Sequence, residues 1–88
     1  MPTSMDEPDK TQIQLGFGKR VREIRSVIGI SQEQLAFESG LERSYIGQVE
    51  RGERNISIVN IHRIAKALKT EAYFLLMPIG STTEINQA

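Results

Sequence analysis

The sequence predicts an all-α fold of five short helices, and three observations carry that prediction. Apolar residues recur at spacings of three and four in successive segments, which is the period of a half-buried helix. The segments are punctuated by residues suited to helix ends, with Ser31 and Ser57 as N-caps and Gly29, Gly40 and Gly52 as stops. No stretch reads as a strand. The 88 residues leave room for one domain, and burial alone keeps so short a chain marginally stable unless it packs well or oligomerises.

The elements follow in chain order. Residues 1–10 combine Pro2 and Pro8 with polar and acidic side chains and no apolar period, so a flexible tail is expected. Residues 11–80 form the expected folded domain. Thr11 and Gln14 are spaced for a capping box, but Gly16 and Gly18 each weaken a helix by roughly 1 kcal/mol relative to alanine, which places the start of the first helix between residues 12 and 17. Phe17, Val21, Ile24 and Ile28 then share one face, with Lys19, Arg20 and Arg22 on others, and Gly29 ends the helix. Ser31 with Gln34 forms a capping box for a second helix from Gln32, with Ile30 stapled onto Leu35. Leu35 and Ala36 give it a buried edge, and Gly40 supplies the left-handed residue that turns the chain. A third helix covers about residues 43–51, with Ile46 and Val49 inward and Gly52 as its stop.

After a short connection at residues 53–56, Ser57 caps a fourth helix whose stripe is Ile58, Ile61, Ile64, Ala65 and Leu68. Lys66 and Lys69 suit the negative pole at its end. Thr70 caps a fifth helix that Pro78 terminates, and residues 81–88 are expected to form a second flexible tail.

Composition removes several function classes. Without cysteine there is neither a disulfide nor a thiolate metal site. The single histidine, His62, has no ligand-bearing neighbours at metal spacing and reads as a surface residue, so no metal or cofactor is expected. No phosphate-cradling glycine loop and no nucleophile with a base at usable spacing are present, which argues against an enzyme. The longest apolar run, residues 73–77, is far too short to cross a bilayer and the opening residues hold no apolar signal region. A cytoplasmic location without membrane association is expected. Formal net charge is zero, but residues 11–80 hold ten basic against seven acidic side chains, a surplus of three. That is a mild footprint for a nucleic-acid binder, so binding would depend on placed contacts.

The organising stretch is SQEQLAFESGLERSYIGQVERG at residues 31–52, where two helical patterns flank a turn too tight for an ordinary loop. This is a helix-turn-helix. In such a motif that reads DNA the second helix enters the major groove with its N-terminal residues at base edges, and the first lies across the backbone. With Ile46 and Val49 inward, the outward face carries Arg43, Ser44, Gly47 and Gln48, with Glu42 at the tip. Arg donates two bonds to guanine O6 and N7, Gln pairs with adenine N6 and N7, and Glu42 either accepts from cytosine N4 or repels phosphate. Gln32, Tyr45 and Arg51 or Arg54 are placed for phosphate contacts, which set register without carrying sequence information. The alternatives are a half-buried core tyrosine and a solvated arginine face. Tyr73, Phe74, Leu75, Leu76 and Met77 are consecutive and surround helix five, while one core covers only one side of a helix. Either Pro78 and the tail fold back over the excess, or the outer side is a dimer interface.

The combination of SQEQLA, SGLERSYIGQVERGERNIS and IHRIAKAL resembles the phage-repressor and Cro type (Xre-like) helix-turn-helix regulators, and especially the controller proteins of restriction-modification systems. The resemblance spans about residues 17–76 and implies a five-helix, repressor-like DNA-binding domain. It implies base contacts at Arg43, Ser44 and Gln48 and backbone contacts at Gln32 and Tyr45. It implies an Arg25–Glu50 ion pair between the first helix and the reading helix. It also implies a homodimer formed through the fifth helix, acting on double-stranded DNA at a pseudo-palindromic operator. Glu33, on the exposed side of helix two, matches the acidic residue that similar activators present to the sigma subunit of RNA polymerase, although a solvated glutamate fits equally. The other reading is an antitoxin or regulatory interaction module in a protein complex.

Overall fold

The computed structural model describes residues 9–77; the Pro78 stop and the two expected tails, apart from Asp9 and Lys10, lie outside them. The described chain folds into α1 (Lys10–Ile28), α2 (Gln32–Ser39), α3 (Arg43–Glu50), α4 (Ile58–Ala67) and α5 (Ala72–Leu76), with no strand among these residues. α3 is wedged between α1 and α2, α4 packs behind α2, and α5 closes the core against α1 and α4. Leu35, Ile46, Ile64, Leu68, Leu75, Val21 and Val49 are fully buried where these elements meet.

α1 begins earlier than the sequence suggests. Asp9, not Thr11, is the N-cap: its carboxylate accepts from the Gln12 backbone N–H at 2.8 Å, and the Gln12 side chain accepts from the Asp9 N–H at 3.0 Å. This reciprocal pair satisfies two otherwise orphaned amides and offsets the propensity cost of the two glycines that follow. At Ser31 only half of the expected box forms. Ser31 Oγ accepts from the Gln34 N–H at 3.0 Å, but the Gln34 side chain donates to Glu38 one turn on instead of returning to the cap. Ser57 caps α4 by accepting from the Asn60 N–H at 3.1 Å.

The helix ends share one device. At Ile30, Leu41, Glu53 and Thr70 the backbone N–H reaches back to the carbonyl of the residue five earlier, in α1, α2, α3 and α4 respectively. Each such closure needs a left-handed residue just before it. Gly40 takes that conformation, at φ 74°, in the tight turn between α2 and α3. At the end of α4 the same position is occupied by Lys69, at φ 60°, a conformation that costs a residue bearing a Cβ roughly 1 kcal/mol. Thr70 is thereby used to close α4 and does not cap α5; Glu71 holds that position without a side-chain cap bond.

Three apolar expectations change. The α1 stripe fades, from Phe17 and Val21 in the core to half-buried Ile24 and a 42% exposed Ile28. Ile58, at the open first turn of α4, is 83% exposed and does not join the stripe that begins at Ile61. Arg20, expected on a polar face, is only 3% exposed. It donates to the Met77 carbonyl at 3.2 Å, lies 4.7 Å from the Phe74 ring centroid and 3.8 Å from the Glu23 carboxylate. Its aliphatic stem is covered because α1 is flanked by α5 as well as α3.

The two α1 glycines are not equivalent. A Cβ at Gly18 would collide with the Val49 carbonyl oxygen and lie 2.7 Å from that of Glu50, so the backbone of α1 touches the end of α3 at this residue. A Cβ at Gly16 would meet nothing within 4 Å. Gly16→Ala should therefore raise stability by up to about 1 kcal/mol, whereas Gly18→Ala should lower it by about 1–3 kcal/mol despite the same gain in propensity. Thermal unfolding of the two variants checks this, with opposite shifts expected.

Candidate nucleic-acid interface

α3 has eight residues, too few to be helical in isolation. Packing holds it. Ile46 (0% exposed) and Val49 (2%) anchor its inner face, at about 1.5–3 kcal/mol for each buried side chain. The opposite face points outward from the first turn: Glu42, Arg43 and Ser44 are exposed, and Gln48 is half-buried one turn on. Arg43 and Ser44 enter no hydrogen bond or ion pair among the described residues. Glu42 occupies the N-cap but makes no side-chain cap bond, so its carboxylate stays at the open positive pole. Gly47 is not on the open face; it is buried, with an Arg51 guanidinium nitrogen 3.3 Å from where its Cβ would be.

Behind this face lies a buried polar junction. Arg25 of α1 donates from Nε and Nη2 to the two Glu50 carboxylate oxygens at 2.7 and 3.0 Å, and from Nη1 to the Ile30 carbonyl at 3.0 Å. The Glu50 side chain is only 4% exposed and that of Arg25 16%. The hydrogen bond to Glu50 holds the Arg25 pKa above its ordinary value, against the opposing effect of burial and helped by the carboxylate charge. Gln32, at the first turn of α2, donates from Nε2 to Glu50 Oε1 at 3.0 Å. One of its two amide protons is thus used.

A second cluster lies at the far end of α3. Arg54 Nε donates to Gln48 Oε1 at 2.8 Å, and its guanidinium lies 5.1 Å from the Tyr45 ring centroid. Tyr45 is half-buried, and its Oη accepts from Asn60 Nδ2 at 3.2 Å. Arg51 instead grips Glu53 through two bonds of 2.9 and 3.3 Å. That hydrogen bond lowers the Glu53 pKa, but the pair is exposed and easily exchanged for another anion. Glu33 is exposed on α2.

Sequence spacing overlooked three residues in this neighbourhood. Asn60, on α4, orients Tyr45. Gln14, on α1, donates to the Gly52 carbonyl at 3.0 Å and ties down the end of the motif. Both depend on long-range approach and leave no local signal. Arg20 did leave one: residues 17, 20, 21 and 24 fall on one helical face, so an arginine at position 20 belongs to the buried stripe. Among the described residues no group of metal-ligating side chains is assembled, and no helix is long and apolar enough to cross a membrane.

The exposed helix over a core-anchored inner face is the geometry of a DNA-reading motif, and a helix-turn-helix family model, HTH_3, matches residues 21–75. The chain belongs to this Xre-like helix-turn-helix family. It is a DNA-binding transcriptional regulator and not an enzyme. The control protein C.BamHI from Bacillus amyloliquefaciens is 52% identical over 65 residues, covering 73% of this chain and 80% of the relative. C.SmaI from Serratia marcescens is 47% identical over 66 residues, covering 75% and 79%. The crystal structure of the restriction-modification controller protein C.AhdI from Aeromonas hydrophila aligns with a TM-score of 0.69 at 56% identity, covering 70% of this chain and 94% of that one.

The buried junction makes a specific demand. Removing Glu50 leaves the largely buried Arg25 charge without its carboxylate and unties Gln32, at a cost of roughly 3–5 kcal/mol, much of the ~5–15 kcal/mol that holds a small domain folded. Glu50→Ala should therefore lose its cooperative thermal transition near physiological temperature and lose DNA binding with it. Preserved melting would show that the junction does not hold the fold.

Proposed function

We propose that the chain is the homodimeric controller of a restriction-modification operon, acting in the cytoplasm on a pseudo-palindromic operator. The observation that carries this reading is the open first turn of α3, with Arg43 and Ser44 unengaged above a fully packed inner face. Arg43, Ser44 and Gln48 contact bases, with Glu42 beside them at the groove edge. Gln32, Tyr45, Arg51 and Arg54 contact phosphates on either side. Identity of about half with C.BamHI and C.SmaI supports the controller role.

A second exposed surface supports pairing. Tyr73 (65%) and Leu76 (56%) of α5 and Ile13 (53%) of α1 are exposed, and Ile13, Phe17, Ile56, Ile61 and Leu76 line one depression together with Gln14, Arg54 and Asn55. Leu75 does not take part as expected, because it is 1% exposed and fills the core of its own protomer. Phe74 is half-buried under Arg20. The dimer face is therefore built on Tyr73, Leu76 and Met77 with Ile13, and a two-fold axis through it sets two α3 helices about one DNA turn, ~34 Å, apart. Glu33 stands clear on α2, where it serves as an acidic contact for the polymerase sigma subunit.

Gel shifts on an operator recovered by in vitro selection test the main reading. Arg43→Ala should lose about 1–3 kcal/mol and relax preference at one base pair. Leu76→Glu should sediment as a folded monomer and lose operator affinity. Retained dimerisation in that variant would remove α5 from the interface. In run-off transcription Glu33→Ala should bind the operator normally yet activate poorly; full activation would discard the sigma contact.

A further inference from the structure

We propose that Arg54 sets the orientation of the Gln48 side-chain amide and so decides which base Gln48 prefers. The inference rests on α3 being the reading helix, and goes beyond it by giving Arg54 a task in specificity. The two ends of a glutamine amide differ: one accepts and the other donates. Arginine has only donors, so the end of Gln48 that meets Arg54 Nε at 2.8 Å must be the oxygen. The two N–H groups of Gln48 then point away from Arg54, on the other side of the amide carbon.

Arg54 is itself held in place. It lies in the connection after α3, with its guanidinium 5.1 Å from the centroid of the Tyr45 ring, a cation–π contact. The Tyr45 hydroxyl is fixed in turn by Asn60 of α4 at 3.2 Å. The amide orientation is therefore imposed by residues outside the first turn of the reading helix.

The consequence for recognition follows from the base edges. An unconstrained glutamine suits adenine, donating to N7 while accepting from the N6 amino group. With one of the two lone pairs on its oxygen taken by a guanidinium, Gln48 keeps both N–H donors but only one acceptor position, and the adjacent Arg54 cation disfavours approach of the adenine amino donor to that oxygen. Guanine, with acceptors at both N7 and O6, meets the two Gln48 N–H donors without conflict. Gln48 thereby selects guanine over adenine, and Arg54 is the positioning residue.

Competition binding of the full chain to a selected operator, with each base pair varied in turn, tests this. Gln48→Ala marks the base pair that Gln48 reads as the one where preference collapses. There the wild-type protein should favour guanine over adenine about tenfold. Arg54→Ala, which removes an exposed side chain and leaves the fold intact, should bring that ratio to near one or reverse it. The double variant should differ from Gln48→Ala only by a fall in affinity shared by all sequences. An unchanged guanine-to-adenine ratio in Arg54→Ala overturns the proposal and leaves Arg54 a phosphate contact, as does a wild-type preference for adenine at that pair. A wild-type protein that selects no sequence overturns the assignment of α3 on which it rests.

Discussion

The structure depends on one carboxylate. Glu50 closes α3, accepts two bonds from Arg25 of α1 and a third from Gln32 of α2, so a single buried charge fixes the last turn of the reading helix to both of its neighbours. Hydrophobic contacts cannot do this alone, because they are non-directional and tolerate rotation of a short helix about its axis. A bidentate arginine–carboxylate pair fixes an angle as well as a distance. Gly18 lets it form. The absence of a Cβ there brings the backbone of α1 against the carbonyls of Val49 and Glu50, within reach of the Arg25 side chain two turns along.

Around that junction the motif divides into a part that is held and a part that is presented. Leu35, Ile46 and Val49 are fully buried, and the left-handed Gly40 returns the Leu41 amide to the Ala36 carbonyl at 3.0 Å. Arg43 and Ser44 extend, exposed, from the first turn. Gln48 is different. Its side-chain oxygen already meets Arg54 Nε at 2.8 Å, so its amide has less conformational freedom than the side chains of the first turn.

The opposite side of the domain answers a size problem. A chain this short has too little interior to cover every helix, and α5, only five residues long, is covered on one side by Leu75 and the Arg20–Phe74 stack. Tyr73 and Leu76 are left outside. The same shortage explains the 83% exposed Ile58 at the start of α4 and the fading of the α1 stripe toward Ile28.

Local sequence determined the number and type of elements, the left-handed turn at Gly40, the inward pair Ile46 and Val49, and the outward set Arg43, Ser44 and Gln48. These follow from helical periodicity and from glycine and serine chemistry within a few residues. The tertiary structure decided what depends on approach between distant segments. It chose Asp9 over Thr11 as the first cap, buried Arg20 between α1 and α5, turned Leu75 inward, and made Gly18 a point of contact while Gly16 stayed open. It also joined Gln48 to Arg54 and Tyr45 to Asn60. A side chain's hydrogen-bond partner is set by which backbone lies opposite it, and period and propensity carry no information about that.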